Sequence, residues 1–392
     1  MTVRTRAAVF VIIATVLAGC SAQEAPEQGR SQADQRVDPR AASLKEGFST
    51  MDGLVEAAKK EGVLVVAGLP HDWVDFGQII SAFSDKYGIR VRELEPQANS
   101  ARQIALAAET KQKADAPDVF DLTLDVAVAN KRDFAPYRVQ SWQDIPDHLK
   151  DHGGAWYAAY GGYMSIGYDP RKVAAPSSFA DLLKPGYTVA LPGDPRRAAG
   201  AFHGVMAASL APAASDTEPQ GDADADTDAE EESSGIGPSG ADAERGVRFF
   251  ARLKRTGNLA TGNKAPNTVI DWDHVNARRS STAGEDAWKV VVPRDAVLAS
   301  YHIQAISKRA AHPAAARLWQ EFLFSDEGQN LLLKGFARPV RMEAMEMRGT
   351  VDREAAAKLP PAPAANRPAF LTVPEIDAAR THLRKTWAKK VG

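Results

Sequence analysis

The stretch that decides the fold runs from Thr50 to Leu94, TMDGLVEAAKKEGVLVVAGLPHDWVDFGQIISAFSDKYGIRVREL. Thr50 or Asp52 can cap a short amphipathic helix whose apolar side holds Leu54, Val55 and Ala58, and Gly62 stops it. Val63 to Ala67 is then an unbroken β-branched and apolar run, the pattern of a strand buried on both faces. Ile79, Ile80, Phe83 and Tyr87 recur at helical spacing before Gly88, and Ile89 to Leu94 reads as a second strand. Helix, strand, helix and strand in strict turn build βαβ units, hence an α/β fold with a mostly parallel sheet.

Working outward, Ser100-Ala101-Arg102-Gln103 fits a capping box that opens a helix toward Lys113, and Val119 to Leu124 forms a third strand. A second series begins after the aromatic stretch Trp156 to Tyr168. Ser178 caps a helix through Leu183, Thr188 to Leu191 is a strand, and Gly193-Asp194-Pro195 turns into a helix ending near Leu210. Residues 211–243 break the pattern with a block of one charge sign, including Asp222, Asp224, Asp226, Asp228 and Glu230 to Glu232. Such a block repels itself and buries nothing, so it reads as a solvated insertion. A calcium loop would need glycine where Thr227 stands. Helical or strand patterns resume at Val247 to Leu253, Thr268 to Ile270, Trp288 to Val292, His302 to Ile306, Ala314 to Leu323 and Ser325 to Leu333. A second capping box, Thr372-Val373-Pro374-Glu375, opens a C-terminal helix toward Lys390.

The N-terminus reads as an export signal. Arg4 and Arg6 precede an apolar run, Ala7 to Leu17, and small residues lead to Cys20 in Leu17-Ala18-Gly19-Cys20. The string resembles the bacterial lipobox, which implies lipidation of Cys20. It is the single cysteine of the chain, so a disulfide within the chain is excluded. Residues 1–19 are thus expected to be a signal peptide, and 20–45 a lipidated tether reaching about 25 Å from the bilayer. The remaining composition, 44% hydrophobic and 25% charged with a net charge of −2, is that of a globular protein. The near-neutral balance argues against nucleic acid as a partner. There is no P-loop, dinucleotide fingerprint, His-Glu-x-x-His or nucleophile elbow, so no enzymatic chemistry and no cofactor are expected.

Several strings, in order, resemble the type II solute-binding proteins of ABC importers, a group that includes ferric-iron, polyamine, thiamine and aminoethylphosphonate binders. They are AAKKEGVLVVAGLPHDW (57–73), FSDKYGIRV (83–91), SFADLLKPGYTVALPGDP (178–195), VIDWDHVNA (269–277) and HPAAARLWQEFLFSDEGQNLLLKGFARPVR (312–341). The resemblance implies a two-lobed, periplasmic-binding-protein-like type II fold of class α/β, with a ligand cleft between lobes joined by two crossing strands. On this reading residues 46–165 form the first lobe and 166–292 the second, carrying the acidic insertion 211–243. Residues 293–392 return to the first lobe and end in the C-terminal helices. Between Lys254 and Asp271 the chain is shorter than its relatives.

Ligands of open α/β sheets sit at the carboxyl ends of strands, which points to particular loops. His71, Asp72 and Trp73 follow the first strand, and the resemblance places His71 where ferric-iron binders carry a ligand histidine. Ser100 begins a helix whose N-terminus favours an anion, although a plain cap explains it equally. Asp125 follows the third strand; Tyr160 and Tyr163 flank the first crossing, and Tyr301 the return crossing. Arg196 sits at a helix start and is able to pair an anionic group. Asp271, Trp272 and Asp273 form the most suggestive cluster, since alternation sends both carboxylates to one strand face, suited to a protonated amine.

The expected function is capture of a small polar solute for an ABC permease and its ATPase by a monomeric, lipid-anchored protein. An amine-bearing or zwitterionic solute such as a polyamine or aminophosphonate is favoured. Ferric iron is the alternative, with His71 and Tyr301 as its metal ligands, but the tandem tyrosine of iron binders is missing. The other rivals are an anchored receptor or adhesion module and a secreted α/β hydrolase.

Overall fold

The computed structural model describes residue 2 and residues 37–110, 114–211, 239–283, 286–361 and 368–392. Cys20, and most of the expected signal segment, tether and acidic insertion, lie outside the described residues. No helix among the described residues is long and apolar enough to cross a membrane.

The opening helix forms over Met51–Glu61, capped by the Thr50 side chain and ended at Gly62, whose φ of 71° is a left-handed conformation suited to glycine. β1 (Val63–Ala67) is buried along nearly its whole length, as its β-branched run demands. It pairs in parallel with β2 (Arg90–Leu94) on one side and β3 (Val119–Leu122) on the other. Short β4 (Phe134–Ala135) precedes a 12-residue strand, β5 (Tyr157–Tyr168). Beyond it come β6 (Val189–Ala190), β7 (Thr268–Trp272), β8 (Lys289–Val291) and β9 (Leu298–Ser307). β10 (Arg338–Pro339) and β11 (Ala369–Phe370) are two-residue strands near the C-terminus.

The strand order β2-β1-β3-β9-β5-β7-β6 contains two sheets that share β5. Its first half, Tyr157 to Tyr163, pairs with β9, while Met164 to Tyr168 pair with β7. Two separate apolar cores follow from this. Tyr157 to Tyr160 belong to the first, as do Ile303, Ala305 and Ile306, with Leu64, Phe83, Trp319 and Phe322. Met164, Ile166 and Leu298 belong to the second, with Phe202, Phe250 and Ile270. β5 and β9 therefore pass from one core to the other, and the molecule is two-lobed with two crossing strands.

Several sequence expectations are corrected. Ser100 is not the helix cap. Asn99 caps Ser100–Glu109, and Gln103 instead donates to and accepts from the backbone of Asp121, standing in for a strand neighbour. β3 stops at Leu122, so Asp125 lies in the first turn of a short helix, Leu124–Ala129. Ala180–Leu183 forms only a tight 3₁₀ turn. Residues 293–392 do not all return to the first lobe. The C-terminal helix Val373–Lys390, opened by the expected Thr372–Glu375 capping box, buries Ile376, Ala379, Leu383 and Trp387 in the second core. Its apolar face finds its cover there, with Trp387 against Phe250 at 5.5 Å between ring centroids.

Candidate functional site

The carboxyl ends of β1 and β7 and the loops after them meet in a groove of about 330 Å³. The first lobe contributes Asp72, Trp73 and Gln97, and the second contributes Asp271, Trp272, His274 and Arg278. Trp73 is held by its indole N–H, which donates to the Tyr160 hydroxyl at 2.9 Å. That hydroxyl donates in turn to Asp121 at 2.7 Å. The other carboxylate oxygen of Asp121 accepts from His302 Nδ1 at 2.7 Å, and the His302 ring stacks flat on Tyr160. Strand register explains this: Tyr160 and His302 are cross-strand partners on β5 and β9, and Asp121 lies on the adjacent β3. Tyr160 is fully buried, and burial pushes its hydroxyl pKa well above the usual range, so it stays a neutral donor.

On the opposite wall, β7 ends at Trp272 and Asp273 begins the helix Asp273–Ala283. The change from strand to helix separates the two carboxylates that alternation would have aligned. Asp271 keeps a place in the groove. It is buried, its Oδ1 accepts from the Trp272 N–H at 2.8 Å, and desolvation raises its pKa above the ordinary value. Asp273 turns inward and is wholly buried. Its Oδ1 accepts from the N–H groups of Tyr163 and His274, and its Oδ2 from Arg338 Nε at 3.0 Å. The Arg338 guanidinium lies over the Tyr163 ring at 4.6 Å and also donates to the Pro360 carbonyl. Wholly buried and accepting three hydrogen bonds, Asp273 is built as a structural anchor between lobes. Gly162 is required beside it, since a Cβ there would lie 2.4 Å from Asp273 Oδ1 and 2.9 Å from His274 Nδ1.

His274 is buried edge-on against Trp73, with ring centroids 4.8 Å apart, and neither of its ring nitrogens has a hydrogen-bond partner among the described residues. Trp272 is stacked parallel to His274 and meets His203 at a tilt. His203 is buried, donates from Nδ1 to the Ala199 carbonyl at 2.8 Å, and has its pKa lowered by burial to about 4, so the ring is neutral at pH 7.

The structure thus brings Asp72, Trp73, Asp271 and Trp272 together, with Tyr160 in the layer behind Trp73. It does not bring in the others. His71 is 65% exposed and pairs with Glu93 on β2. Ser100 Oγ accepts from the Thr123 N–H. Arg196 is held by its neighbour Asp194, and Tyr163 serves the Asp273 anchor. Asp125 pairs with Arg380 of the C-terminal helix at 3.0 Å. Tyr301 stacks on Phe370, and burial raises its pKa to about 12. His71 and Tyr301 therefore have separate partners in separate places, and among the described residues no three His, Cys, Asp or Glu side chains converge as metal ligands would. The sequence reading missed Gln97, Arg278, His274 and the Asp121–His302 pair. Arg278 was findable, because it stands four residues after His274 on the same helix face. The Asp121–His302 pair depends on the register of strands distant in sequence and left no local signal.

Two α/β lobes on two crossing strands, with a groove walled by both, are the architecture of a cleft-type binding protein. The chain belongs to the family of bacterial extracellular solute-binding proteins, whose model matches residues 117–373. Such proteins work outside the cytoplasm and hand solutes to the permease of an ABC importer. No curated protein matches the chain by sequence. Solved structures share its fold. An ABC transporter substrate-binding protein from Bradyrhizobium japonicum superposes with a TM-score of 0.59 at 16% identity, over 83% of this chain and 99% of that one. AgtB from A. tumefaciens R10, in complex with agropinic acid, gives 0.58 at 16% identity, over 84% and 98%. Iron-bound HitA from Pseudomonas aeruginosa gives 0.55 at 18% identity, over 82% and 98%. An organic acid and a metal ion thus occupy the same fold, and these likenesses leave the solute open.

Proposed function

We propose that this protein captures an organic solute bearing a protonated amine in the Trp73–Trp272 groove and delivers it to an ABC permease as a monomer anchored through Cys20. The observation that carries this reading is that an indole from each lobe lines one groove together with the Asp271 carboxyl. Aromatic faces attract a cation electrostatically, and desolvation by closing walls strengthens the attraction. Burial raises the Asp271 pKa by desolvating its carboxylate, and an ammonium beside it would offset that penalty and donate a charge-assisted hydrogen bond. Arg278, half exposed on the groove rim, supplies a partner for an anionic end of a zwitterion, the role that the sequence had suggested for Arg196.

The test is a thermal-shift screen against polyamines, amino acids, phosphonates, sugars and ferric salts, followed by calorimetry on the hit. A ligand at about 100 times its Kd stabilises by about 2.7 kcal/mol. Losing one charge-assisted hydrogen bond costs about 1.5–3 kcal/mol, so Asp271→Asn should weaken binding roughly 10- to 100-fold. Unchanged affinity in Asp271→Asn, or a response to ferric salts alone, overturns the amine reading.

A further inference from the structure

The C-terminal helix Val373–Lys390 lies almost wholly beyond residue 373, where the family match stops, yet it touches both lobes. Its apolar face is sunk in the second core through Ile376, Ala379, Leu383 and Trp387. Just before it, β11 lengthens the sheet by pairing in parallel with β9 at Leu298 and Ala299, and Phe370 stacks on Tyr301. From this base Arg380 reaches across. Its guanidinium lies over Phe202 of the second core at 5.1 Å and binds Asp125 at 3.0 Å. Asp125 belongs to the short helix Leu124–Ala129, whose Ala127 is in the first core and whose Leu124 and Val126 pack against it.

We infer that Arg380 is an internal counter-ion at Asp125, through which the C-terminal helix straps the two lobes together before any solute arrives. The geometry favours a strap over an incidental surface pair. Asp125 is 13% exposed and Arg380 36%, and the Arg380 guanidinium lies over an aromatic ring belonging to the opposite lobe from its carboxylate partner. The contact also fills the corner after β3 with protein. The space left among Asp125, His203, Tyr301 and Arg380 is about 30 Å³, room for a water and not for a solute. A carboxylate in the first turn of the helix that follows β3, where a solute amine would be sought, is thereby already neutralised by the chain itself. Opening the lobes breaks the pair, and closing them remakes it.

The experiment measures the distance between lobes without solute. Spin labels are placed at Lys59→Cys in the first lobe and Arg252→Cys in the second, in the detergent-solubilised full chain carrying Cys20→Ser, and read by pulsed dipolar spectroscopy. Both positions are exposed. Arg380→Met removes the guanidinium, and with it both the ion pair and the contact over Phe202, while keeping an unbranched apolar side chain, and Asp125→Asn removes only the charge of the partner from the other lobe. Each should raise the ratio of longer- to shorter-distance forms about five-fold, the size expected for a partly exposed ion pair. The exchange Asp125→Arg with Arg380→Asp should restore the original distribution. Unchanged distributions in both single variants, or an exchange variant that stays as open as either single, overturn the proposal. Melting curves show that the helix remains docked. Because no solute is added, the result stands apart from the success or failure of the amine reading.

Discussion

Replacing Asp273 separates two roles that the sequence alone could not tell apart. In the structure its carboxylate accepts three hydrogen bonds and faces Arg338, with no surface of its own exposed. Asp273→Asn keeps an oxygen for the N–H groups of Tyr163 and His274 but turns an amide toward the guanidinium. Breaking a buried ion pair by removing one partner costs about 3–5 kcal/mol. Arg338 is 20% exposed and retains its stack on Tyr163, which places the expected loss near the lower end, about 3 kcal/mol. Asp273→Ala also strands two backbone donors, each worth about 1–3 kcal/mol when left unmet, so its loss should reach about 5 kcal/mol or more. At roughly 2–4 °C per kcal/mol, melting should fall by about 6–12 °C for the Asn variant and further for Ala. Scanning calorimetry or urea denaturation reads both. An Asp273→Asn protein that melts within about 2 °C of wild type yet binds solute ten-fold less tightly would refute the anchor role and return Asp273 to the solute site.

Further outcomes follow from other residues. His203 is neutral when folded, with a pKa of about 4 against 6.5 in the unfolded chain. The unfolded state thus binds the extra proton between those values, and stability should fall as pH drops from 6.5 toward 4, by about 3 kcal/mol in total. His203→Gln should flatten that part of the acid limb in a denaturation series, and an unaltered limb would count against the assignment. Cys20→Ala should abolish fatty-acid labelling and leave the precursor unprocessed at this site; equal labelling in both proteins would sink the lipobox reading. Deleting residues 214–236 should leave melting and solute affinity unchanged. The helices Ala199–Leu210 and Ala243–Arg255 already meet, with the Asp242 N–H donating to Ser209 Oγ at 2.9 Å, so the residues left can bridge them. A melting point lowered by many degrees in that variant would show the segment to be structural.

The residues 50–94 were legible as alternating helix and strand because their signals are local. A capping threonine, a left-handed glycine, a β-branched run and an apolar stripe each act over a few residues, and each formed the element it announced. The order of strings along the chain likewise carried the two-lobed class and the cleft. The site was only partly legible. Trp73, Asp271 and Trp272, which the sequence offered as candidates, line the groove because loops after strands reach a cleft in a fold of this kind. Asp273 was misread because strand alternation was extended one residue too far, and a helix start next to a strand end is decided by packing against Gly162 and Arg338, both remote in sequence. Only the tertiary structure placed His302 against Asp121, and Arg380 against Asp125 from a helix that had no signal tying it to the second lobe. The sequence determined which elements form and in what order. Which charges meet was settled by strand register and helix docking, long-range contacts whose energies depend on partners about 65 to 255 residues away.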